Sequence, residues 1–239
     1  MHVLKRGIII TKENNHFRDG FVKGIPIALG YFPVSFTFGI MAVSGGLSPW
    51  IAIFISMTNL TSAGQFAGTN LIITGAGYIE IALTTFVINL RYLLMSLALS
   101  QKIINKTNLL NRFLLSFGIT DETYAVAAVE PSKIGAKYMY GLISAPYIGW
   151  AMGTALGAFA SGLMSEKLQN AMGIALYGMF IAIIIPAAKK SRQVWIVIII
   201  AVIFTTLLNY IPFLRGISTG FQTILATLFA AGIGAWLFP

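Results

Sequence analysis

The chain has 239 residues, 57% of them hydrophobic and only 10% charged. Its mean hydropathy is +0.82, whereas an ordinary soluble domain is about 25% charged. Its 16 Lys and Arg exceed its 7 Asp and Glu, for a formal charge of +9. The basic residues lie between apolar runs, which reads as orientation in a membrane rather than nucleic-acid binding. Cysteine is absent and the two histidines, His2 and His16, precede the apolar body. That pattern argues against disulfides, thiolate catalysis, a Ser-His-Asp hydrolase or a zinc site, and no P-loop phosphate motif is present.

The first 23 residues carry Lys5, Arg6, Lys12, Arg18 and Lys23. Their apolar run Ile8-Ile9-Ile10 is too short for a signal-peptide core, so 1–23 reads as a cytoplasmic tail. Eight apolar segments follow, at 24–47, 50–73, 78–101, 113–129, 138–162, 170–188, 193–211 and 217–238. About 20 apolar residues span a bilayer as a helix. The expectation is an all-α, polytopic helical bundle in the cytoplasmic (inner) membrane. It forms a single transmembrane transport domain over 1–239, with six to eight transmembrane segments.

Basic clusters sit in the tail, at Lys102, Lys106 and Arg112, at Lys133 and Lys137, and at Lys189, Lys190 and Arg192. The positive-inside tendency puts all four in the cytoplasm, which eight plain crossings from a cytoplasmic N-terminus do not allow. The conflict disappears if 50–73 and 113–129 are re-entrant or broken, the first from outside and the second from the cytoplasm. Both have polar centres, Thr58 to Gln65 in one and Gly118 to Glu122 in the other. Such backbone is tolerated at membrane depth only inside protein or a wet cavity. An internal repeat has slight support, in that Gly30 and Pro33 resemble Gly141 and Pro146.

Thr58, Ser62, Gln65 and Thr69 follow helical spacing in the second segment, with Asn59 beside them. They serve either a solute or hydrogen bonding between packed helices. In the third segment Glu80, Thr84 and Arg91 form one stripe and Thr85, Asn89, Tyr92 and Ser96 another. Arg91 is too deep to snorkel and costs about 3 kcal/mol at a helix centre, so it binds a solute or forms a structural ion pair. Glu80, near the segment end, reads mainly as an interfacial residue. Asp121 and Glu122 are adjacent carboxylates in an apolar run, where burial would raise at least one pKa. They suit a substrate ammonium, a coupling proton or a partner for Arg91. The plainer reading is a helix start capped by Thr120 with acids in its first turn. Gly149, Gly153 and Gly157 make a smooth face for a close helix, in this chain or in a second subunit.

With these stretches assembled, the sequence resembles the AzlC family of branched-chain amino acid exporters. The resemblance runs from about Gly20 to Ala128 and rests on GIPIALGYFPVSFTFG at 24–39, TSAGQFAG at 61–68, INLRYLLMSLAL at 88–99 and FGITDETYA at 117–125. The chain departs from the family pattern at Gly64, where serine is common, and at Tyr92, where histidine is common. The resemblance implies export of valine, leucine, isoleucine or analogues together with a small hydrophobic AzlD-type membrane subunit.

A zwitterion in a low-dielectric site needs a cation, an acceptor and an apolar pocket. Arg91 and Asp121 or Glu122 supply the charges, and Asn89, Thr120, Gln65, Ser62 and Asn59 supply polar contacts. No metal or organic cofactor is expected. Proton motive force is the expected drive, with Asp121 or Glu122 taking the proton. The rivals are a channel or uptake carrier for small zwitterions and, from another class, an intramembrane enzyme or assembly factor.

Overall fold

The structure is a computed structural model that describes residues 16–104, 107–165, 167–168, 181, 184–185, 188–189, 191–211 and 216–238. The described elements are α1 (Phe17–Ser44), α2 (Pro49–Thr58), α3 (Ala63–Ile73), α4 (Tyr78–Ser100), α5 (Leu109–Phe117), α6 (Asp121–Ala128), α7 (Ala136–Ala160), α8 (Arg192–Tyr210) and α9 (Thr219–Leu237). A single 3₁₀ turn, Ser161–Leu163, follows α7. Among the described residues no strand is found beyond one isolated bridge, between Ile103 and Ile134. An all-α membrane bundle is therefore what the composition builds. The sixth expected segment, 170–188, lies mostly outside the described residues, as do His2, Lys106 and Lys190.

Among the described residues five helices are long and apolar enough to cross a membrane: α1, α4, α7 with its 3₁₀ extension, α8 and α9. The helices α2, α3, α5 and α6 have only 10, 11, 9 and 8 residues. At 1.5 Å per residue each reaches about 12–16 Å, roughly half of a 30 Å hydrocarbon core. The chain forms two compact units, one of residues 1–29 with 92–148, the other of 30–91 with 149–239.

In the first unit, α1 begins earlier than the sequence suggests. Residues 17–23 are helical rather than tail, because Phe17 and Phe21 pair their rings at 6.0 Å on one face while Asp19 suits the first turn. Gly20, Gly24 and Gly141 let this part of α1 run parallel to α7. A Cβ on Gly20 would lie 2.0 Å from Tyr138 O, and one on Gly141 would lie 2.0 Å from Phe17 O. The core gathers Leu99, Ile103, Leu115, Ile119, Ile134, Tyr138, Met139 and Leu142. The pair α5–α6 leaves and returns at one level, because Ile104 N–H donates to Ile134 O at 3.0 Å and Ile134 N–H donates to Lys102 O at 3.1 Å. Lys102 Nζ closes the base on Ala128 O, and Lys23 from α1 forms a salt bridge with Glu130.

In the second unit α2 starts at a Ser48 cap, accepting from Ile51 N–H at 3.3 Å, with Pro49 preset for the first turn. It stops at Asn59, and Ser62 turns the chain with φ 46°, a left-handed conformation that a non-glycine residue adopts at a cost. The pair α2–α3 also returns to its starting level, since the end of α3 reaches the start of the excursion. A Cβ on Gly45 would sit 2.4 Å from Ile73 Cδ1. Gly153 and Gly157 face the C-terminal half of α1: Cβ atoms there would lie 2.5 Å from Phe32 O and 2.0 Å from Phe36 O. These two glycines of the smooth face are thus filled from within the chain, not by a second subunit. Gly30 meets nothing within 4 Å, unlike Gly141, so the pair invoked for a repeat does not share an environment.

Candidate functional site

The break in α2–α3 does not leave the expected stripe intact. Thr58 belongs to α2, is exposed and donates to its own Phe54 O at 2.8 Å, whereas Ser62 stands just before α3 without a side-chain capping bond and Gln65 and Thr69 lie on α3. The break separates Thr58 from the rest because helical periodicity holds only along a continuous helix. Asn59 and Ser62 are half-buried in the irregular turn, and Thr61 donates to Asn59 Oδ1 at 2.5 Å.

Gln65 is the centre of a buried polar chain. Only 1% of it is exposed. Its Nε2 donates to Ser56 Oγ at 2.9 Å and its Oε1 accepts from Trp150 Nε1–H at 3.0 Å. The Ser56 and Thr154 hydroxyls are 2.6 Å apart, and Tyr31 meets the Trp150 ring edge-on at 5.2 Å. A buried amide left unmatched is expensive in an apolar medium, so this chain fixes α2 and α3 against α7. Sequence reading named Gln65 but missed Ser56, Trp150 and Thr154. A tryptophan and a threonine inside a long apolar helix carry no local mark of their partners.

α4 divides its two polar stripes between different neighbours. On one side Asn89 and Thr85 face the glycines of α3, for a Cβ on Gly64 would lie 2.4 Å from Asn89 Oδ1 and one on Gly68 would lie 3.1 Å from Thr85 Oγ1. Asn89 Oδ1 is buried with no hydrogen bond. The glycine at 64 is needed for this close approach. On the other side Glu80 reaches the first turn of α9, where its Oε1 accepts from Ser218 Oγ at 2.5 Å and from Gly220 N–H at 2.8 Å. Glu80 is 9% exposed, so it is a buried tertiary cap rather than an interfacial residue. Arg91, half-buried, lies on this same stripe, eleven residues further along α4.

The acidic pair belongs to the first unit and is not buried as expected: Asp121 is half-buried and Glu122 exposed. They occupy the first turn of α6, where side chains splay outward and complement the positive end of the helix. Thr120 caps that turn in a reciprocal box. Thr123 N–H donates to Thr120 Oγ1 at 3.3 Å, and Thr120 N–H donates to Thr123 Oγ1 at 2.8 Å. Thr123 Oγ1 in turn donates to Gly118 O at 2.9 Å. The structure thus brings Gln65, Asn59, Ser62, Asn89 and Arg91 into one unit, and Thr120, Asp121 and Glu122 into the other. Among the described residues no cluster of three or more potential metal ligands occurs.

Comparison with known proteins adds to this geometry. The Inner membrane protein YgaZ of Escherichia coli K12 is 29% identical over 226 residues, covering 90% of this chain and 92% of that protein. An uncharacterized membrane protein of Archaeoglobus fulgidus is 32% identical over 178 residues, 72% of this chain and 76% of the relative. The Branched-chain amino acid transport protein AzlC of Bacillus subtilis 168 is 21% identical over 180 residues, 74% of this chain and 70% of that one. No solved structure matches. The sequence model of the family described as AzlC protein matches residues 26–164. That match takes in more than half of the sequence, including both short-helix pairs and the buried Gln65 chain, and the protein therefore belongs to the AzlC family of membrane proteins.

Proposed function

We propose that the chain is the large subunit of a secondary exporter that moves branched-chain amino acids out across the cytoplasmic membrane, driven by proton motive force. A small AzlD-type membrane subunit works with it. The N-terminus is cytoplasmic in this reading, which puts the basic clusters on that side. The observation that carries the proposal is the break between α2 and α3, irregular backbone at the junction of two half-length helices, with the unbonded Asn89 Oδ1 of α4 facing the start of α3. Transporters build solute sites from such broken helices, whose half-helix N-termini favour anionic groups. The printed name of the Bacillus subtilis relative supports the solute class.

Within the second unit, Asn89 Oδ1 accepts from the ammonium beside the break, which Gln65, Asn59 and Ser62 hold in shape, and Arg91, on the opposite stripe of α4, draws the carboxylate along the path. Asp121 and Glu122, in the other unit, complement the positive start of α6 and make no solute contact in this reading. The reaction makes and breaks no covalent bond, so an enzymatic role is not part of the proposal.

Efflux of labelled leucine or valine from loaded cells, with and without the small subunit, is the direct test. Arg91→Gln should cut efflux at least about tenfold at unchanged abundance, the loss of one charge-assisted contact worth roughly 1.4 kcal/mol or more. Arg91→Lys should recover part of it, because lysine lacks the two-pronged geometry. Normal efflux in Arg91→Gln removes arginine from the path. A fall in abundance instead marks a structural ion pair. Flux measured in both directions separates an exporter from a channel or an uptake carrier.

A further inference from the structure

Two carboxylates are buried among the described residues, Glu80 and Glu130. Glu130 is neutralised by Lys23. Among the described residues Glu80 has no such cation: its partners there are the Ser218 hydroxyl and the Gly220 N–H, both on Oε1. Beside it is a second unusual group. Thr84, 1% exposed and one turn along α4, has a hydroxyl with no hydrogen bond. Its neighbour Thr85 donates to Ile81 O at 2.7 Å, and Thr58, Thr74, Thr206, Thr223 and Thr227 all donate to the carbonyl four residues back. The Thr84 hydroxyl is instead turned toward Gly220: a Cβ there would lie 2.7 Å from Thr84 Oγ1 and 2.5 Å from Glu80 Oε1.

We propose that Glu80, with Thr84 and the first turn of α9, is a proton-binding site, and that it is the carboxylate which couples proton entry to transport; this coupling role rests on the exporter reading above. When ionised, Glu80 accepts from Ser218 and Gly220 at the start of α9. When it takes a proton, the new O–H can donate to Thr84 Oγ1, an acceptor that is otherwise idle. Both protonation states therefore have partners, so the site gains and loses a proton without stranding a buried group. Protonation also removes the charge from the α9 cap, and the first turn of α9 is then held less firmly against α4.

Among the described residues the charged surroundings are sparse; Arg215, ahead of Ser218, lies outside them. The first turn of α9 has no titratable residue, α3 has none, and on α4 the remaining charge of this unit is Arg91, three turns away on the same stripe. In the proposed orientation Glu80 lies close to the external end of α4, the side from which protons enter during export.

The test uses the full chain with its small subunit in proteoliposomes, with two readouts. Infrared difference spectra recorded on acidification should contain a carboxylic acid band from the buried Glu80 in wild type. That band should vanish in Glu80→Gln and shift in Thr84→Val. In transport, Glu80→Gln should lower leucine movement driven by a pH gradient at least tenfold while leaving exchange of labelled for unlabelled leucine within about twofold, because exchange needs no net proton. A band unchanged in Glu80→Gln overturns the proton site, and gradient-driven transport unchanged in that variant overturns its coupling role while the exporter reading stands. Absence of leucine transport in wild type alongside a Glu80-dependent band sinks the exporter reading and the coupling with it but leaves the proton site in place.

Discussion

The two short-helix pairs solve the same problem in opposite ways. The tip of α2–α3 is irregular and strained at Ser62, and it is held from within by hydrogen bonds to Trp150 and Thr154 on α7. The tip of α5–α6 completes its own hydrogen bonds through the Thr120–Thr123 box, and the excursion is fastened at its base by the Ile103–Ile134 bridge, Lys102 and the Lys23–Glu130 pair. The tip of a short-helix pair can therefore be stabilised either by distant side chains or by its own capping. The first arrangement leaves an open acceptor at Asn89 beside the break, and the second leaves its acids facing outward. This contrast is why the proposed solute site is placed at α2–α3.

The strongest way to break the comparison is Gln65→Leu. It strands Trp150 Nε1–H and removes a partner from Ser56, and should cost about 2 kcal/mol, within the range for a buried unmatched donor. Thermal unfolding of the purified protein in detergent measures it; stability equal to wild type would mean that the polar chain does not secure α2–α3. A smaller effect is expected at the other tip. Thr123→Val removes the reciprocal cap of α6 and should cost about 1 kcal/mol, with α2–α3 and leucine efflux left as they were. Lost efflux in that variant would erase the functional division between the two pairs. Least of all, Lys23→Gln should cost under about 1 kcal/mol, because the ammonium is half-exposed and screened by salt. Its effect should shrink further in high salt, and a larger salt-independent loss would show that the base of α5–α6 depends on that one pair.

Both half-length pairs were legible in the sequence, because basic clusters and a polar centre are local properties. So was the Thr120 cap, whose pattern spans four residues. The start of α1 was obscured because Arg18, Asp19 and Lys23 interrupt the apolar spacing of Phe17 and Phe21. Glu80 was misjudged for a different reason: its partner Ser218 lies 138 positions away, and nothing near position 80 announces it. The same distance effect hid Trp150 and Thr154. Gly153 and Gly157 signalled a close helix correctly but not whose helix, since the chemistry of glycine is identical in both cases. The burial expected of Asp121 and Glu122 came from counting apolar neighbours along the chain, whereas their exposure depends on which way the first turn of α6 faces.

The contrast between the two pairs also has a meaning in time. A ribosome adds about 5–20 residues per second, so Trp150, 85 positions beyond Gln65, is made roughly 4–17 s after it. During that interval the amide of Gln65 has no indole to meet, and α2–α3 must wait in the insertion machinery or in lipid with its tip unsecured. The base of α5–α6 needs only the 30 residues from Ile104 to Ile134, and its Thr120 cap is complete three residues after it begins. Biosynthesis therefore leaves the excursion held by distant side chains as the last of the two to settle, and a nascent chain stalled before α7 emerges would present that tip to whatever surveys unfinished membrane proteins.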